Sequence, residues 1–293
     1  MSQNTVSVQL SIDEAKRVKD VLLSFGWKDA DINNEYIALR MKSEEGSVVT
    51  LYTSRKIVFQ GKEDFTDIVQ AIRGGSNVDF VSHIGVDEVG KGDYFGPLVV
   101  VACFVDEEFY KKVKALGVGD SKKFSDSRIL KMYEEMKEYP YYYPSIVSPE
   151  EYNRLIKETG NVAILLAKQH SKVIEMALED LKRKKIECKK VVIDQFSSKQ
   201  NRVRDELGTL GKGVELEQYH KGESDIAVAC ASVLARGIFL EEMEKMSDSY
   251  YFSFPKGASN VIPSAKEFLA KHGMDELSKV AKVSFKTTQS ILK

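Results

Sequence analysis

Asp87 and Glu88 stand side by side at the end of an apolar run. Glycines follow at Gly90, Gly92 and Gly96, all within HIGVDEVGKGDYFGP, His83 to Pro97. Two carboxylates at a strand end, beside backbone N–H groups that glycine leaves open, suit a divalent cation and a phosphate. A second apolar run, Leu98 to Phe104, comes after Pro97, so the pattern predicts two strands joined by a glycine-rich turn. A plain hairpin with a solvated acidic pair is the simpler alternative. Gly85 to Lys91 also fits most of a P-loop, but Gly92 stands where Ser or Thr belongs. Asp87 and Glu88 would sit inside that cradle and repel an anion unless a metal intervened. The NTPase reading is therefore rejected.

Further acids stand at comparable places. Asp194 ends KVVID, a short buried strand, where a carboxylate either caps the next element or joins a site. Glu223 and Asp225 precede Ile226 to Ala235, a run that is apolar except for Ser232 and reads as a helix buried nearly all round. Its small residues Ala227, Cys230 and Ala231 permit close approach to a sheet.

The opening stretch resembles the first motif of the type 2 ribonuclease H family, and GDYFGP resembles its ribonuclease HIII branch. GDSKKFSD (Gly119 to Asp126), VIDQF (Val192 to Phe196), HKGESDIAVACASVLAR (His220 to Arg236), FPKGAS (Phe254 to Ser259) and VAKVSFKTT (Val280 to Thr288) agree in order. With the amino-terminal region, the resemblance covers nearly the whole chain. It implies that Asp87, Glu88, Asp194 and Glu223 are catalytic carboxylates and metal ligands. Four carboxylates held together imply bound cations: two Mg²⁺ ions about 4 Å apart, with Mn²⁺ as a substitute. The fourth acid stays open between Glu223 and Asp225, because the HII branch uses Asp there and the HIII branch Glu. Helical phase favours Glu223, which would share a face with Ala227, Cys230, Ala231 and Leu234. Asp225 would lie about 200° away, as a first-turn acid.

By the same resemblance, Gly90, Lys91 and Gly92 are substrate-binding: the backbone meets the 2′-hydroxyls of RNA and Lys91 adds a phosphate contact. Ser121 and Lys122 resemble phosphate-binding partners, and His220 or Lys221 would assist the leaving group or bind phosphate. The implied fold is α/β, a ribonuclease H-like mixed sheet with flanking helices, preceded by a small α+β domain similar to TATA-binding protein. The implied activity is endonucleolytic cleavage of RNA in an RNA–DNA hybrid, leaving 5′-phosphate and 3′-hydroxyl ends. Cleavage at single ribonucleotides in DNA, as in the HII branch, is the nearest alternative. A catalytically silent hybrid-binding protein is another, and the presence of all four acids weighs against it. The expected partner is the hybrid, with no membrane, and the chain is expected to act as a monomer.

Composition is compatible with this. The 293 residues are 43% hydrophobic and 30% charged, and the formal net charge is −1, so bulk positive charge is excluded as the means of holding nucleic acid. A local basic face is required instead. The best candidate runs from Ser253 to Lys293, where Lys256, Lys266, Lys271, Lys279, Lys282, Lys286 and Lys293 face only Glu267, Asp275 and Glu276. Cys103, Cys188 and Cys230 lack metal-ligand spacing and read as reduced thiols of a cytoplasmic protein. No apolar run approaches the roughly 18 residues that span a bilayer, and MSQNTVSVQL lacks the pattern of a signal peptide.

The elements that must position these residues divide at Gly74 to Asn77, read as a linker between a binding domain (1–73) and a catalytic domain (78–293). Before it, Val6, Val8 and Leu10 alternate as in a strand, and Ser11 and Glu14 have capping-box spacing. Ile12, Ala15, Val18, Leu22 and Phe25 make the apolar face of the helix they open, and Gly26 stops it. Strands are predicted at about 36–41, 48–53 and 56–60, then a short helix through Phe65, Ile68, Val69 and Ile72. After the linker, helices are predicted near 125–138, from Pro149, and near 161–184, with a strand at 214–219. The aromatic cluster Tyr139 to Tyr143 could stack bases, but Pro140 and Pro144 favour an edge strand packed on the core.

Overall fold

Alternation of Val6 and Val8 with polar neighbours gives β1 (Asn4–Gln9), and Ser11 then caps α1 (Ile12–Ser24). The capping box is complete: the Glu14 N–H donates to Ser11 Oγ, and the Ser11 N–H donates to the Glu14 carboxylate. Next come β2 (Lys28–Asp29), β3 (Ile37–Lys42), β4 (Val48–Tyr52), β5 (Lys56–Gly61) and α2 (Thr66–Ile72). The five strands form an antiparallel sheet in the order β1-β5-β4-β3-β2. One sheet face carries Val8, Ile57, Leu51 and Leu39 in register, and these join Val18, Leu22, Trp27 and Phe65 in one apolar cluster. The buried stripe of α1 is narrower than the sequence suggests. Ile12 and Phe25, one at each end, stay 60% and 37% exposed, and only Val18 and Leu22 between them are fully buried.

The computed structural model describes residues 4–32, 34–73, 80–119, 121, 124–197, 201–219 and 222–293, and the side chains of residues 4, 13, 70, 219 and 223 are likewise not described. Two compact units separate at Phe80 and Val81. The expected linker, Gly74 to Asn77, lies outside the described residues.

The larger unit is built on β6 (His83–Val89) and β7 (Leu98–Val105), the antiparallel pair expected on either side of the glycine turn. A P-loop would need a helix where β7 stands. There follow α3 (Glu107–Ala115), α4 (Asp126–Met136), β8 (Tyr142–Val147), α5 (Pro149–Thr159), α6 (Val162–Arg183), β9 (Lys190–Asp194), α7 (Asn201–Glu206) and β10 (Glu215–Tyr219). The chain ends with α8 (Ile226–Tyr250), α9 (Ile262–Val280), which breaks at Gly273, and α10 (Lys286–Ile291). The sheet is mixed, in the order β10-β9-β6-β7-β8: β10, β9 and β6 run parallel, and β7 and β8 are antiparallel.

Both sheet faces are covered, so every residue of β7 is buried and the strand reads as one apolar run. Leu165, Leu166, Val173 and Ile174 of α6 belong to the same core cluster as Ile84 and Val86 of β6. On the other face α8 lies close enough that a Cβ on Gly85 would stand 2.0 Å from the Ala227 carbonyl carbon. Only glycine permits that approach, and small residues on α8 complete it. The aromatic cluster forms the start of edge strand β8, with Tyr143 buried and Tyr139 stacked on Phe109.

Candidate active site

Asp87 and Glu88 sit near the carboxyl end of β6, beside the carboxyl end of the parallel strand β9, which carries Asp194. This parallel pairing brings together acids more than a hundred residues apart. Asp87 is 8% exposed, and its Oδ1 accepts the Glu88 N–H at 2.8 Å. Burial pushes its carboxyl up to about 8, helped by the charges of Glu88 and Asp194 and opposed by a hydrogen bond with Ser232. Asp194 Oδ1 accepts the Gly222 N–H at 2.8 Å, fixing the turn that precedes α8 against β9.

Glu88 is held differently. His170 Nε2 lies 3.0 Å from Oε2, and Lys91 Nζ lies 2.6 Å from Oε1. Burial pushes this carboxyl up, but His170 and Lys91 outweigh it and hold the group below its ordinary value. Lys91, expected on phosphate, is thus engaged with a carboxylate.

Gly90 has φ +94°, and a Cβ there would stand 2.1 Å from the Pro97 carbonyl oxygen. At Gly92 a Cβ would meet no described protein atom within 4 Å, so the protein itself sets no steric demand for glycine there. Ser121 is buried: its Oγ stands 2.7 Å from Ser232 Oγ, and its carbonyl accepts from Arg236. Its hydroxyl therefore braces the partner of Asp87. Arg236 also pairs with Asp126, so Ser121 and Asp126 of GDSKKFSD are both tied to α8. Lys122, His220 and Lys221 lie outside the described residues.

Capping separates Glu223 from Asp225. Glu223 lies in a 3-10 turn, Gly222–Ser224, and α8 starts only at Ile226. Helical phase cannot rank the two acids, because neither belongs to the helix. Asp225 is the N-cap: it accepts the N–H groups of Ala227 and Val228 and pairs with His83 Nε2 at 2.9 Å. Each of its oxygens is committed to holding β6 against α8. The Glu223 backbone stands in the turn that Gly222 anchors to Asp194.

The glycine turn is braced from far along the chain. The Tyr94 N–H donates to the Gly257 carbonyl, and the Gly257 N–H to Asp93 Oδ1. The Gly96 N–H donates to the Val280 carbonyl, the Lys282 N–H to the Tyr94 carbonyl, and Tyr94 Oη lies 3.0 Å from Thr288 Oγ1. Lys282 has no solvent exposure; its ammonium donates to the carbonyls of Asp93 and Gly96. Burial pulls it down to about 7, against the Asp93 charge. FPKGAS and VAKVSFKTT are therefore the braces of this turn. The basic face expected in the tail is correspondingly smaller: Lys282 points inward, and Lys256 and Lys279 pair with Asp126 and Glu276.

A carboxylate set of this kind offers hard oxygen donors, and positive charge nearby would offset the burial and the two acids that hold the Asp87 carboxyl up. The residues thus fit a divalent cation. Among the described side chains, no three acids, histidines or cysteines are gathered tightly enough to hold one ion, the Glu223 side chain being outside that set.

A family model described as Ribonuclease HII matches residues 84–288. The ribonuclease HIII of Protochlamydia amoebophila (strain UWE25) is 35% identical over 262 residues, 85% of each chain. The ribonuclease HIII of Streptococcus gordonii is 34% identical over 266 residues, 87% of this chain and 88% of its own. The chain belongs to the ribonuclease HIII family. A crystal structure of Bst-RNase HIII in complex with Mn²⁺ superposes with a TM-score of 0.67 and 28% identity, covering 99% of this chain and 98% of its own. That likeness extends over both units, as expected if the small α+β unit is part of the ribonuclease HIII architecture.

Four residues of this ribonuclease HIII site were not legible as functional. His83, His170 and Ser232 lie in elements whose periodicity announces core, and Lys282, between α9 and α10, reads as one more charge of the basic tail. Only the presence of a polar side chain in an apolar run marked Ser232.

Proposed function

We propose that the chain is an endonuclease that hydrolyses the RNA strand of RNA–DNA hybrids with divalent-metal assistance. The observation that carries this is the gathering of Asp87, Glu88 and Asp194 at the ends of parallel strands, with the Asp87 carboxyl driven up by burial first and by its two acidic neighbours after it. Asp87, Glu88, Asp194 and Glu223 would hold Mg²⁺, or Mn²⁺ in its place. When bound, such ions activate a water and stabilise the leaving oxygen of a phosphodiester. The chain supplies the rest. Ser232 and Ser121 orient Asp87, Gly222 orients Asp194, and His170 orients Glu88. The braced turn presents Gly90 to Gly92 toward the sugar edge of the RNA strand. The proposed site asks for no residue of a second copy, and the reading carries the expectation of a monomer. No described helix is long and apolar enough to cross a membrane.

The amino-terminal unit, residues 1–73, acts as a second grip on the hybrid. The sheet face opposite its apolar cluster carries Ser7, Val58, Thr50 and Arg40 in one cross-strand row and Thr5, Gln60, Val48 and Lys42 in the next. Three hydroxyls, one amide and two cations, with two valines and no carboxylate, suit a phosphate-sugar backbone. Such a grip favours continuous RNA tracts over a lone ribonucleotide.

The test compares initial rates on an all-RNA strand, a four-ribonucleotide block and a single ribonucleotide, each paired with DNA, in Mg²⁺, Mn²⁺ and chelator. Cleavage of the continuous tract that needs a divalent ion and leaves 5′-phosphate ends is expected. Equal kcat/KM on the single ribonucleotide would move the chain to HII-type activity, and metal-dependent binding without cleavage would make it a silent binder.

A further inference from the structure

Each oxygen of Glu88 has its own partner, and the two partners differ in kind. His170, on Oε2, stands within the 22-residue α6 with no side-chain exposure, and the Phe196 ring packs on it at 4.7 Å. Its Nδ1 has no hydrogen-bond partner among the described residues, so Glu88 is the polar contact that fixes the ring. Because a carboxylate only accepts, Nε2 is the donor, and a neutral ring suffices. Lys91, on Oε1, is 49% exposed and stands in the glycine turn, on a flexible stem.

We propose that Glu88 is held by one fixed partner and one exchangeable partner: His170 keeps Oε2 in place, while the Lys91 ammonium occupies Oε1 until a divalent cation takes that oxygen. The released lysine then turns to a phosphate of the hybrid. The proposal rests on the reading of Glu88 as a metal ligand. An ammonium and a dication on one oxygen repel each other, which favours departure of the weaker-held partner. Lys91 can leave because its own side chain is 49% exposed on a flexible stem, although the carboxylate it leaves behind is only 3% exposed and then needs the cation in its place. His170 cannot, because it is enclosed by α6 and Phe196. Metal and hybrid are thereby coupled: each favours the Lys91 position that the other needs, and by linkage each tightens the other by the same factor.

The test measures Mn²⁺ binding to the full chain by calorimetry without hybrid, for the wild type, Lys91→Met, His170→Leu, His170→Gln and Glu88→Gln. Circular dichroism melts check that each variant is folded. Lys91→Met is expected to bind Mn²⁺ about fivefold more tightly, because the competing ammonium is gone. His170→Leu is expected to bind about tenfold more weakly, and His170→Gln, which can donate to the same oxygen, to recover most of that loss. Hybrid affinity, read by fluorescence anisotropy in chelator and in Ca²⁺, should rise with the cation in the wild type and rise less in Lys91→Met. If Lys91→Met binds Mn²⁺ no more tightly than the wild type while Glu88→Gln binds it poorly, the exchange is refuted and the ligand assignment stands. If Glu88→Gln binds Mn²⁺ like the wild type, the ligand assignment itself fails, and the exchange with it.

Discussion

Lys282 and Gly96 are 186 positions apart, yet the buried Lys282 ammonium donates to the Gly96 carbonyl at 2.5 Å. A buried cation answered by carbonyls rather than a carboxylate is costly. Here it closes the turn that carries Gly90 to Gly92.

Lys282→Met should therefore destabilise the larger unit by about 2 kcal/mol, since it leaves the Asp93 and Gly96 carbonyls without that donor. The sign with pH follows from a folded value near 7, below the ordinary 10.5. Between these values the unfolded chain holds a proton that the folded chain does not, so stability from this group grows as pH rises. Thermal melts at pH 6 and pH 9 should show the larger loss at pH 9. An equal loss at both would remove the buried-amine account.

Asp87→Asn or Asp194→Asn should abolish cleavage while hybrid affinity stays within a few fold. Each removes a charged oxygen donor but little contact surface. The comparison is single-turnover cleavage in Mg²⁺ beside anisotropy titrations. More than about a tenth of wild-type turnover, a difference of about 1.4 kcal/mol, would contradict the assignment.

Deletion of residues 1–73 should raise KM for long hybrids with chemistry surviving at saturating substrate. The larger unit has its own core and contains all four proposed acids. Steady-state kinetics on the truncated chain is the measurement, and an unchanged KM would take the binding role from the amino-terminal unit.

His83→Gln should cost about 2 kcal/mol in mildly acidic solution. Burial opposes the His83 charge, but Asp225 outweighs it and holds His83 above its ordinary 6.5. Burial likewise opposes the Asp225 charge, and His83 with the α8 N–H groups holds that carboxyl below 3.8. The histidine contribution is complete below 6.5 and fades as pH rises through its folded value. The aspartate contribution is complete above 3.8 and fades as pH falls through its own. Urea melts of wild type and variant should differ more at pH 5.5 than at pH 9.

Local rules served the sequence well where one residue decides one bond. Ser11 with Glu14, Pro149 at a helix start and the β6–β7 hairpin all stand where propensity puts them. Ile12 and Phe25 departed because periodicity says which face of a helix is apolar, not how far along it a partner reaches. The Glu223 argument departed because it extended helical phase back to residue 223, whereas α8 begins at Ile226 with its apolar run and Asp225 is the cap. Lys282 counted as surface charge, since nothing local says that a lysine will meet carbonyls almost two hundred residues upstream. His170 was hidden for a related reason: only the pairing of β6 with β9 and the cover of α6 bring it to Glu88.

The close seat of α8 on Gly85 also governs how the protein can be handled. Ala227 to Ala235 are buried without a break along α8, so this part of the helix has no polar side to show water. Any fragment that keeps α8 but loses β6 and β7 would present one of the longest apolar surfaces in the molecule and should precipitate on expression. Proteolytic nicking between β7 and α8 should for the same reason yield pieces that stay associated until denaturant is added.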